Sequence, residues 1–96
     1  MPEIDRIIHV PARLRIMAAL ASLDQSAQLD FRTLGKSLNL TDGNLGAHLQ
    51  TLEEAGYIKI EKSFVDRKPR TYVAITNKGR TRFEVHVAAL REICGV

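Results

Sequence analysis

Apolar residues recur every three or four positions in three consecutive stretches of the first half of the chain. That spacing places them on one face of a helix, with polar residues on the opposite face. The pattern therefore predicts three amphipathic helices. The apolar positions are Leu14, Met17 and Leu20 in the first stretch, Phe31, Leu34 and Leu38 in the second, and Leu45, Leu49 and Leu52 in the third.

Residues that favour helix ends separate these stretches. Pro11 suits a first helical turn, where its missing N–H has no partner to lose. Asp30 and Thr41 are N-cap residues by type, since their side-chain oxygens accept backbone N–H groups of the first turn. Asn39 ends the second stretch, and Gly56 follows the third at a position that favours a left-handed turn. Because the joint between Asn39 and Thr41 is short, the second and third helices form a helix-turn-helix.

After the third helix, the spacing of apolar residues changes to that of a strand. Two isoleucines alternate with charged residues over 57–64, which predicts a strand. Residues 65–70 (VDRKPR) are predicted as a polar turn, in which Pro69 stiffens a basic tip. A second strand over 70–76 completes a hairpin. Leu29 predicts a very short strand just before the second helix.

The C-terminal segment 77–96 returns to helical spacing, capped by Thr76 or Asn77, and is too apolar for an isolated surface helix. One apolar stripe of this helix is expected to cover the core of the domain. A second apolar stripe then needs to be buried against another partner. The isoleucines of segment 1–10, which are spaced as a short helix before Pro11, also need cover. We expect these two segments to form the interface of a twofold homodimer. The predicted interface residues are Ile4, Ile7, Ile8, Val85, Ala89 and Ile93.

The order helix, helix, helix, two-stranded hairpin, helix is that of the winged helix-turn-helix fold, with the hairpin as the wing. The fold class is mainly α with a β-hairpin (α+β). A length of 96 residues predicts a single domain over 1–96. A chain of this size buries a modest core, so stabilisation by a partner subunit is expected.

Positive charge is concentrated in one quarter of the chain. Residues 59–82 hold eight basic and two acidic side chains, whereas residues 1–58 hold five basic and seven acidic ones. The formal charge of the whole chain is only +3. A basic segment of this density favours a polyanion as partner. A solvated basic surface is the simpler alternative.

The sequence lacks the motifs of catalysis, metal binding and membrane insertion. No glycine-rich phosphate loop, nucleophile elbow or HExxH appears, so no enzymatic activity and no cofactor are predicted. Cys94 is the single cysteine, and His9, His48 and His86 have no ligand spacing, so no metal site is predicted. No apolar run approaches the roughly 20 residues that span a bilayer, and the N-terminus has no secretory signal. We expect a cytoplasmic protein.

Two segments carry a resemblance to a known family. LEEAGYI at 52–58 and ITNKGR at 75–80 fit the pattern L-x-x-L-E-x-x-G-Y-I followed by x-T-x-K-G, which begins here at Leu49. Over about residues 10–84, the chain resembles the DNA-binding core of small MarR-like and ArsR-like transcriptional regulators. The resemblance implies a homodimer on double-stranded DNA, with the third helix in the major groove and the wing on the backbone or minor groove. It implies a repressor as the commoner mode.

The resemblance and the chemistry of DNA recognition together predict the binding residues. A helix fits the major groove and reads base edges, and basic side chains on a hairpin bind phosphates or narrow minor grooves. We predict sequence-selective binding by the recognition helix 41–55 and the wing 64–71. Three basic residues at 78–82 either add phosphate contacts or form a solvated face. The predicted DNA-binding residues are Thr41, Asp42, Gly43, Asn44, Gly46, Ala47, His48, Gln50 and Thr51 in the helix, and Lys62, Arg67, Lys68 and Arg70 in the wing.

Glycines in the third helix require an explanation, because each costs roughly 1 kcal/mol against alanine. Gly43 and Gly46 either let the backbone approach DNA or allow close packing on the second helix. The helix also departs from the family pattern, in which Ser often stands at Gly46 and Arg or Lys at Ala47. No arginine is present to read guanine, whereas Asn44 and Gln50 suit adenine. Phosphate contacts are therefore expected to supply much of the affinity.

Other functions stay open. A winged helix can bridge protein subunits instead of binding nucleic acid, because fold does not fix function. A non-specific binder of DNA or RNA would use the same basic wing without reading sequence. A small-molecule effector is compatible with a dimer, although no polar group indicates its pocket. Salt-sensitive binding to duplex DNA, and preference among duplexes, separate these functions from that of a regulator.

Overall fold

The computed structural model describes residues 3–96, and these residues form four helices and a three-stranded sheet. The helix-turn-helix, the hairpin and the C-terminal helix are all present, which confirms the α+β winged helix-turn-helix fold. Met1 and Pro2, part of the predicted segment 1–10, lie outside the described residues. The helices are α1 (Pro11–Ala21), α2 (Phe31–Leu38), α3 (Asp42–Glu54) and α4 (Asn77–Cys94), and the strands are β1 (Leu29–Asp30), β2 (Ile58–Val65) and β3 (Lys68–Ile75).

Side-chain caps begin three of the four helices. The side-chain oxygens of Asp30, Thr41 and Thr76 accept the backbone N–H three residues later, at 3.1, 3.2 and 2.9 Å. Each cap supplies a partner to a first-turn donor that the helix cannot satisfy itself. Asn39 (φ 54°) and Gly56 (φ 80°) are left-handed, after α2 and α3 respectively. The predicted caps and stops are therefore confirmed.

The predicted short helix before Pro11 is wrong, because this segment makes only one turn. The N–H of His9 donates to the carbonyl of Asp5 at 2.8 Å. The Asp5 carboxylate accepts hydrogen bonds from the N–H groups of Ile7 and Ile8 at 2.9 and 3.2 Å, so these N–H groups have partners without a helix. Val10 is extended (φ −127°, ψ 126°), as favoured for a residue that precedes proline.

The wing has a shorter turn than the sequence predicted. β2 and β3 pair antiparallel from Ile58 opposite Ile75 to Val65 opposite Lys68, which leaves a two-residue turn. Both turn residues have positive φ, 52° at Asp66 and 66° at Arg67. This is the type I′ geometry, whose twist matches that of the two strands.

Pro69 lies in β3 opposite Phe64, so its predicted place in the turn is wrong, and it belongs to the strand beside the tip. β3 is the central strand of the sheet, in the order β1–β3–β2. β1, however, pairs only with Tyr72 and Val73. At Pro69 the other side of β3 is therefore open, and a residue without an N–H is tolerated there.

A single hydrophobic core lies around α1, which contacts α2, α3, α4 and β3. The leucine stripes of α2 and α3 point into this core, as their spacing predicted. Truncating one of these leucines to alanine typically costs about 2–5 kcal/mol. The buried cluster consists of Ile8, Ile16, Met17, Leu20, Leu34, Leu38, Leu45, Leu49, Leu52, Tyr57, Ile58 and Val73.

A backbone joint connects the end of α3, the start of β2 and the start of α4. The Thr76 N–H donates to the Tyr57 carbonyl at 3.0 Å, and the Thr76 hydroxyl donates to the Gly56 carbonyl at 2.7 Å. A Cβ added at Gly79 would overlap the Tyr57 carbonyl, so only glycine fits there. The LEEAGYI and ITNKGR segments thus pack directly against each other at this joint.

Arg80 caps the end of a neighbouring helix. Its guanidinium donates to the carbonyls of Ala21 and Leu23, at 2.9 and 3.4 Å, just where α1 ends. Arg15 makes a similar bond to the Leu38 carbonyl at 2.8 Å. The carbonyls of Ala21 and Leu38 are the last of their helices and have no partner inside them. Arg80 therefore has a structural role, which neither prediction for the 78–82 cluster had included.

A chain of polar groups fastens the N-terminal segment to α4 and to the joint. The Tyr57 hydroxyl donates to the Asp5 carboxylate at 2.5 Å, and the Asp5 N–H donates to Nδ1 of His86 at 3.1 Å. Nε2 of His86 lies 3.4 Å from Nδ1 of His9, and the two rings are T-shaped. His86 is fully buried.

The network alters the acidity of its members. Burial raises the pKa of Tyr57 to about 12, assisted by the hydrogen bond to Asp5. Burial also acts to raise the pKa of Asp5, but the hydrogen bonds from Tyr57, Ile8 and Ile7 outweigh it and the pKa is lowered. Burial lowers the pKa of His86, with a further contribution from His9.

The geometry also assigns the tautomer of His86. Nδ1 accepts a backbone N–H, so the neutral ring carries its proton on Nε2 and donates toward His9. A protonated nitrogen has no lone pair for a metal, so the His9–His86 pair is poorly suited to metal binding. Residues 3–96 contain no group of three or more side chains that could hold a metal ion.

We expect mild acid to destabilise the fold through His86. The unfolded chain binds a proton on this imidazole near pH 6.5, whereas the folded chain binds it only at lower pH. Between pH 6.5 and the lower pKa of the folded state, the unfolded state therefore binds more protons. The free energy of unfolding consequently decreases as pH falls below about 6.5. Thermal denaturation between about pH 8 and about pH 5 measures the slope, since the Asp5 carboxylate contributes only at still lower pH.

His86→Gln is the matched variant, because its amide can accept from Asp5 and donate to His9 without titrating. We expect this variant to flatten the slope, and His48→Gln, outside the network, to leave it unchanged. An undiminished slope in His86→Gln would assign the acid sensitivity to another group.

Candidate nucleic-acid interface

The outward face of α3 is polar and unusually low in side-chain bulk. Its leucines point inward and its N-cap Thr41 is exposed, so the predicted recognition residues lie on or beside the free face. Asp42, Gly43, Asn44, Ala47 and Gln50 are exposed, whereas Gly46, His48 and Thr51 are half-buried.

The glycines of α3 do not serve packing within the chain. A Cβ added at Gly43 or Gly46 would meet nothing within 4 Å. The close approach of α2 to α3 instead occurs at Gly35, where an added Cβ would lie 3.3 Å from Cδ2 of Leu45. The alternative that Gly43 and Gly46 allow packing on α2 is therefore wrong. The two glycines and Ala47 leave the α3 backbone open to an outside partner.

Two of the polar groups on α3 already have intrahelical partners. Nε2 of Gln50 donates to Oε1 of Glu54 at 3.3 Å, and the Thr51 hydroxyl donates to the Ala47 carbonyl at 3.3 Å. The Gln50 amide keeps its second N–H and its carbonyl oxygen for a base. Asn44, near the start of the helix, is exposed, and a free amide side chain can pair with adenine.

The wing carries its cations on an arm that extends beyond the body. Residues 61–70 are all exposed, and the molecule measures 50 × 25 × 22 Å along its principal axes. Nη1 of Arg70 lies 3.8 Å from Oδ1 of Asp30, which holds this arginine near the start of α2. Within residues 3–96, Lys62, Arg67 and Lys68 have no ion-pair partner, so they are available for phosphates.

The sequence missed two basic residues on α2, Arg32 and Lys36. Both are exposed and lie four residues apart, on one face of the helix. Together with Asn39 and Asp42 they line a groove at the helix-turn-helix joint. An i, i+4 basic pair on the first helix of the motif was the signal that could have revealed them.

Arg32 connects α3 with the wing. It lines the groove at the start of α3 and also a second groove formed with Lys68, Pro69 and Arg70 of β3. Basic side chains of α2 and β3 thus adjoin along these two grooves. This basic band consists of Lys36, Arg32, Arg70 and Lys68, with Arg67 and Lys62 on the wing.

The predicted dimer surface is smaller than the sequence suggested. Ile8 is fully buried and Ala89 is 4% exposed, so both belong to the interior of one chain. Ile7 is half-buried against the core. The reason is that the N-terminal segment folds onto the body and covers part of the second stripe. The residues that stay exposed are Ile4, Val85 and Ile93.

Comparison with proteins of known sequence identifies the family. The family model described as a winged helix DNA-binding domain matches residues 12–94. An uncharacterized protein of Methanocaldococcus jannaschii is 36% identical over 88 residues, which cover 92% of this chain and 92% of that protein. Among residues 3–96, no helix is long and apolar enough to cross a membrane.

Solved structures share the fold. That of a transcriptional regulator homologue from Pyrococcus horikoshii OT3 has a TM-score of 0.86 and 34% identity, and the match covers 95% of this chain and 87% of that one. The S. aureus MepR–DNA complex has a TM-score of 0.76 and 18% identity, over 92% of this chain and 69% of that one. The chain therefore belongs to the winged helix DNA-binding domain family and has the fold of a small winged-helix regulator.

Proposed function

We propose that this protein is a homodimeric transcriptional repressor that binds double-stranded DNA with sequence preference. α3 enters the major groove, and the wing lies on the backbone or in the adjacent minor groove. The observation that carries the proposal is the basic band, because it joins the open face of α3 to the wing through Arg32. The binding itself involves no catalytic step.

The face of α3 is suited to close backbone approach. Gly43, Gly46 and Ala47 keep side-chain bulk away from the helix surface, so its backbone can come near the groove walls. Asn44 and Gln50 can each pair bidentately with adenine, and His48 adds a polar contact. Since no arginine lies on this helix, A·T pairs are read better than G·C pairs.

The basic band supplies affinity that does not depend on sequence. Lysine and arginine release counterions from DNA when they neutralise phosphates, so each contact adds to the salt dependence of binding. Arg32 and Lys36 reach the backbone beside α3, while Arg67 and Lys68 reach it from the wing. The MepR complex is a protein of this fold solved with DNA, which supports DNA binding here.

Homodimerisation uses the apolar residues that the single chain leaves exposed. Ile4 and Val85 line one shallow groove between the N-terminal segment and α4. Ile93, about two turns further along α4, is 54% exposed. Burying such side chains against a second copy stabilises a pair of small domains. The twofold arrangement presents two α3 helices to successive half-sites of DNA.

We expect wing substitutions to reduce the salt dependence of DNA binding. Affinity for the DNA upstream of the protein's own gene, and for a scrambled duplex, is measured by fluorescence anisotropy over a salt series. Lys68→Ala removes one phosphate contact and should lower the slope of log K against log salt by roughly 1. Arg91→Ala makes the same change of charge at the far end of α4 and should leave the slope intact.

Two results would contradict the proposal. Binding weaker than roughly 10⁻⁴ M to both duplexes would show that the basic band is a solvated surface, and the partner would then be a protein. Equal affinity for the two duplexes would indicate a non-specific nucleic-acid binder.

Gly46→Ala should separate stability from DNA binding. The added methyl group meets no atom of the chain and improves helix propensity, so the free energy of unfolding should increase by up to about 1 kcal/mol. The same methyl group stands between the helix and DNA, so affinity should decrease. Denaturant unfolding and anisotropy on one preparation measure both quantities. Unchanged affinity would remove Gly46 from the interface.

The dimer is tested by sedimentation equilibrium at tens of micromolar, where we expect the wild type to be dimeric. Val85→Glu places a charge in the proposed interface and should yield a folded monomer, because the side chain is already 42% exposed. Ala47→Glu, at an exposed position of α3 outside the proposed interface, is the control and should stay dimeric. A monomeric wild type would refute the interface.

A further inference from the structure

The wing tip carries an apolar patch, Phe64 with Pro69, among its cations. The Phe64 side chain is 74% exposed and Val65 is 41% exposed, although both lie in the segment richest in basic residues. Single exposed apolar residues are common on protein surfaces. Here, however, Phe64 stands directly opposite Pro69 on β3, so the aromatic ring and the proline ring lie on the same face of the hairpin.

Phe64 is not part of the core, although its strand position points to the core face. Ile58, Ile60, Lys62 and Phe64 alternate along β2 and therefore share one face. The first two contact the core, but β2 is roughly 26 Å long and its outer half extends past the body. Phe64 therefore points to the same side of the sheet as the core residues, but it lies beyond the core and contacts none of it.

Cations surround the Phe64–Pro69 pair. Lys62 lies on the same face of the hairpin, whereas Lys68 and Arg70 flank Pro69 along β3 and point to the opposite face. Pro69, the partner of Phe64, lines a groove together with Arg32, Lys68 and Arg70. The partner of this surface must therefore offer negative charge to the rim and apolar or π surface to the centre. The minor groove of DNA has this layout, with phosphates at both edges and sugars and base edges between them.

We propose that Phe64, backed by Pro69, is an apolar wedge that enters the minor groove and opens a base step, which bends the DNA. The inference rests on the proposed function, because the groove is reached only when α3 and the basic band hold the duplex. Phe and Pro are among the residues that insert between base steps in minor-groove binders. Flexible pyrimidine–purine steps are the ones that open most easily, so the wedge adds a preference that α3 does not supply.

The hairpin holds the wedge rigidly. The two-residue turn at Asp66 and Arg67 leaves little freedom at the tip, and the ring of Pro69 fixes its own φ. A side chain presented on a rigid arm loses little conformational entropy on binding. Arg67 adopts a left-handed backbone that costs a side-chain-bearing residue energy, which indicates that the turn geometry is maintained by the strands on either side.

The test compares Phe64→Ala with Val65→Ala, a neutral change at an exposed neighbour on the opposite face of β2. Each protein is measured for affinity and salt slope by anisotropy, and for DNA bending by the mobility of complexes on circularly permuted duplexes of the upstream DNA. Phe64→Ala should weaken binding roughly tenfold, as loss of one aromatic–base contact does. It should also abolish the bend while the salt slope stays unchanged, because no charge is removed. Val65→Ala should keep both affinity and bend.

Phe64→Leu guards against a folding artefact, since leucine is itself a wedge residue and should retain most of the bend. If the wild type binds but Phe64→Ala bends DNA equally, the wedge is refuted and the proposed function stands. If the wild type binds no duplex, the proposed function itself fails. If Phe64→Ala loses binding to phosphatidylserine vesicles while DNA binding is unaffected, the patch serves a membrane surface and the wedge is likewise refuted.

Discussion

The backbone joint at Tyr57 fixes the geometry on which the rest of the molecule depends. α3 ends, β2 begins and α4 begins within one set of contacts, because Thr76 bonds to the carbonyls of Gly56 and Tyr57. Gly79 lets the first turn of α4 lie directly against the Tyr57 carbonyl. Any side chain there would force the two segments apart. The direction of the wing relative to α3 is therefore set by backbone packing at one point.

The candidate interface follows from that geometry. Since the joint fixes both ends of the β2–β3 hairpin, the wing extends past the body and its outer half stays in solvent. A further bond, from the Ile60 N–H to the Glu53 carboxylate at 3.2 Å, ties β2 to the last turn of α3. Arg32 on α2 closes the gap between these elements. The proposed DNA-binding surface therefore extends from α3, whose outer face carries small side chains, to the wing, which carries cations and the exposed Phe64.

The polar network gives the N-terminal segment a second function besides covering the core. Asp5 bonds to Tyr57 at the joint and to His86 on α4, so the segment holds both elements at once. Buried polar groups are costly unless every partner is in place. His86 is satisfied only as the neutral ring, so acid acts on the same contact that positions Ile4 and Val85. Stability and the proposed dimer surface are thereby linked through one imidazole.

The sequence by itself determined the elements, because periodicity, caps and stops are local. Helical spacing, Asp30, Thr41 and Gly56 were sufficient for the helix-turn-helix, and alternation was sufficient for the wing. Most of the proposed α3 face and the wing cations could be named in the same way. The type I′ turn could not, since Asp66 and Arg67 are not the Asn-Gly pair that usually indicates it.

Only the tertiary structure decided which side chains are free. Ile8 and Ala89 are buried, Arg80 caps α1 from 59 residues away along the chain, and His9 meets His86 across 77 residues. Such contacts depend on how distant elements pack, and periodicity carries no information about that. The role of Arg32 and the isolation of Phe64 likewise appeared only once the wing and α2 had their places in space. Local pattern fixes what an element is, whereas packing between distant segments decides what it presents to a partner.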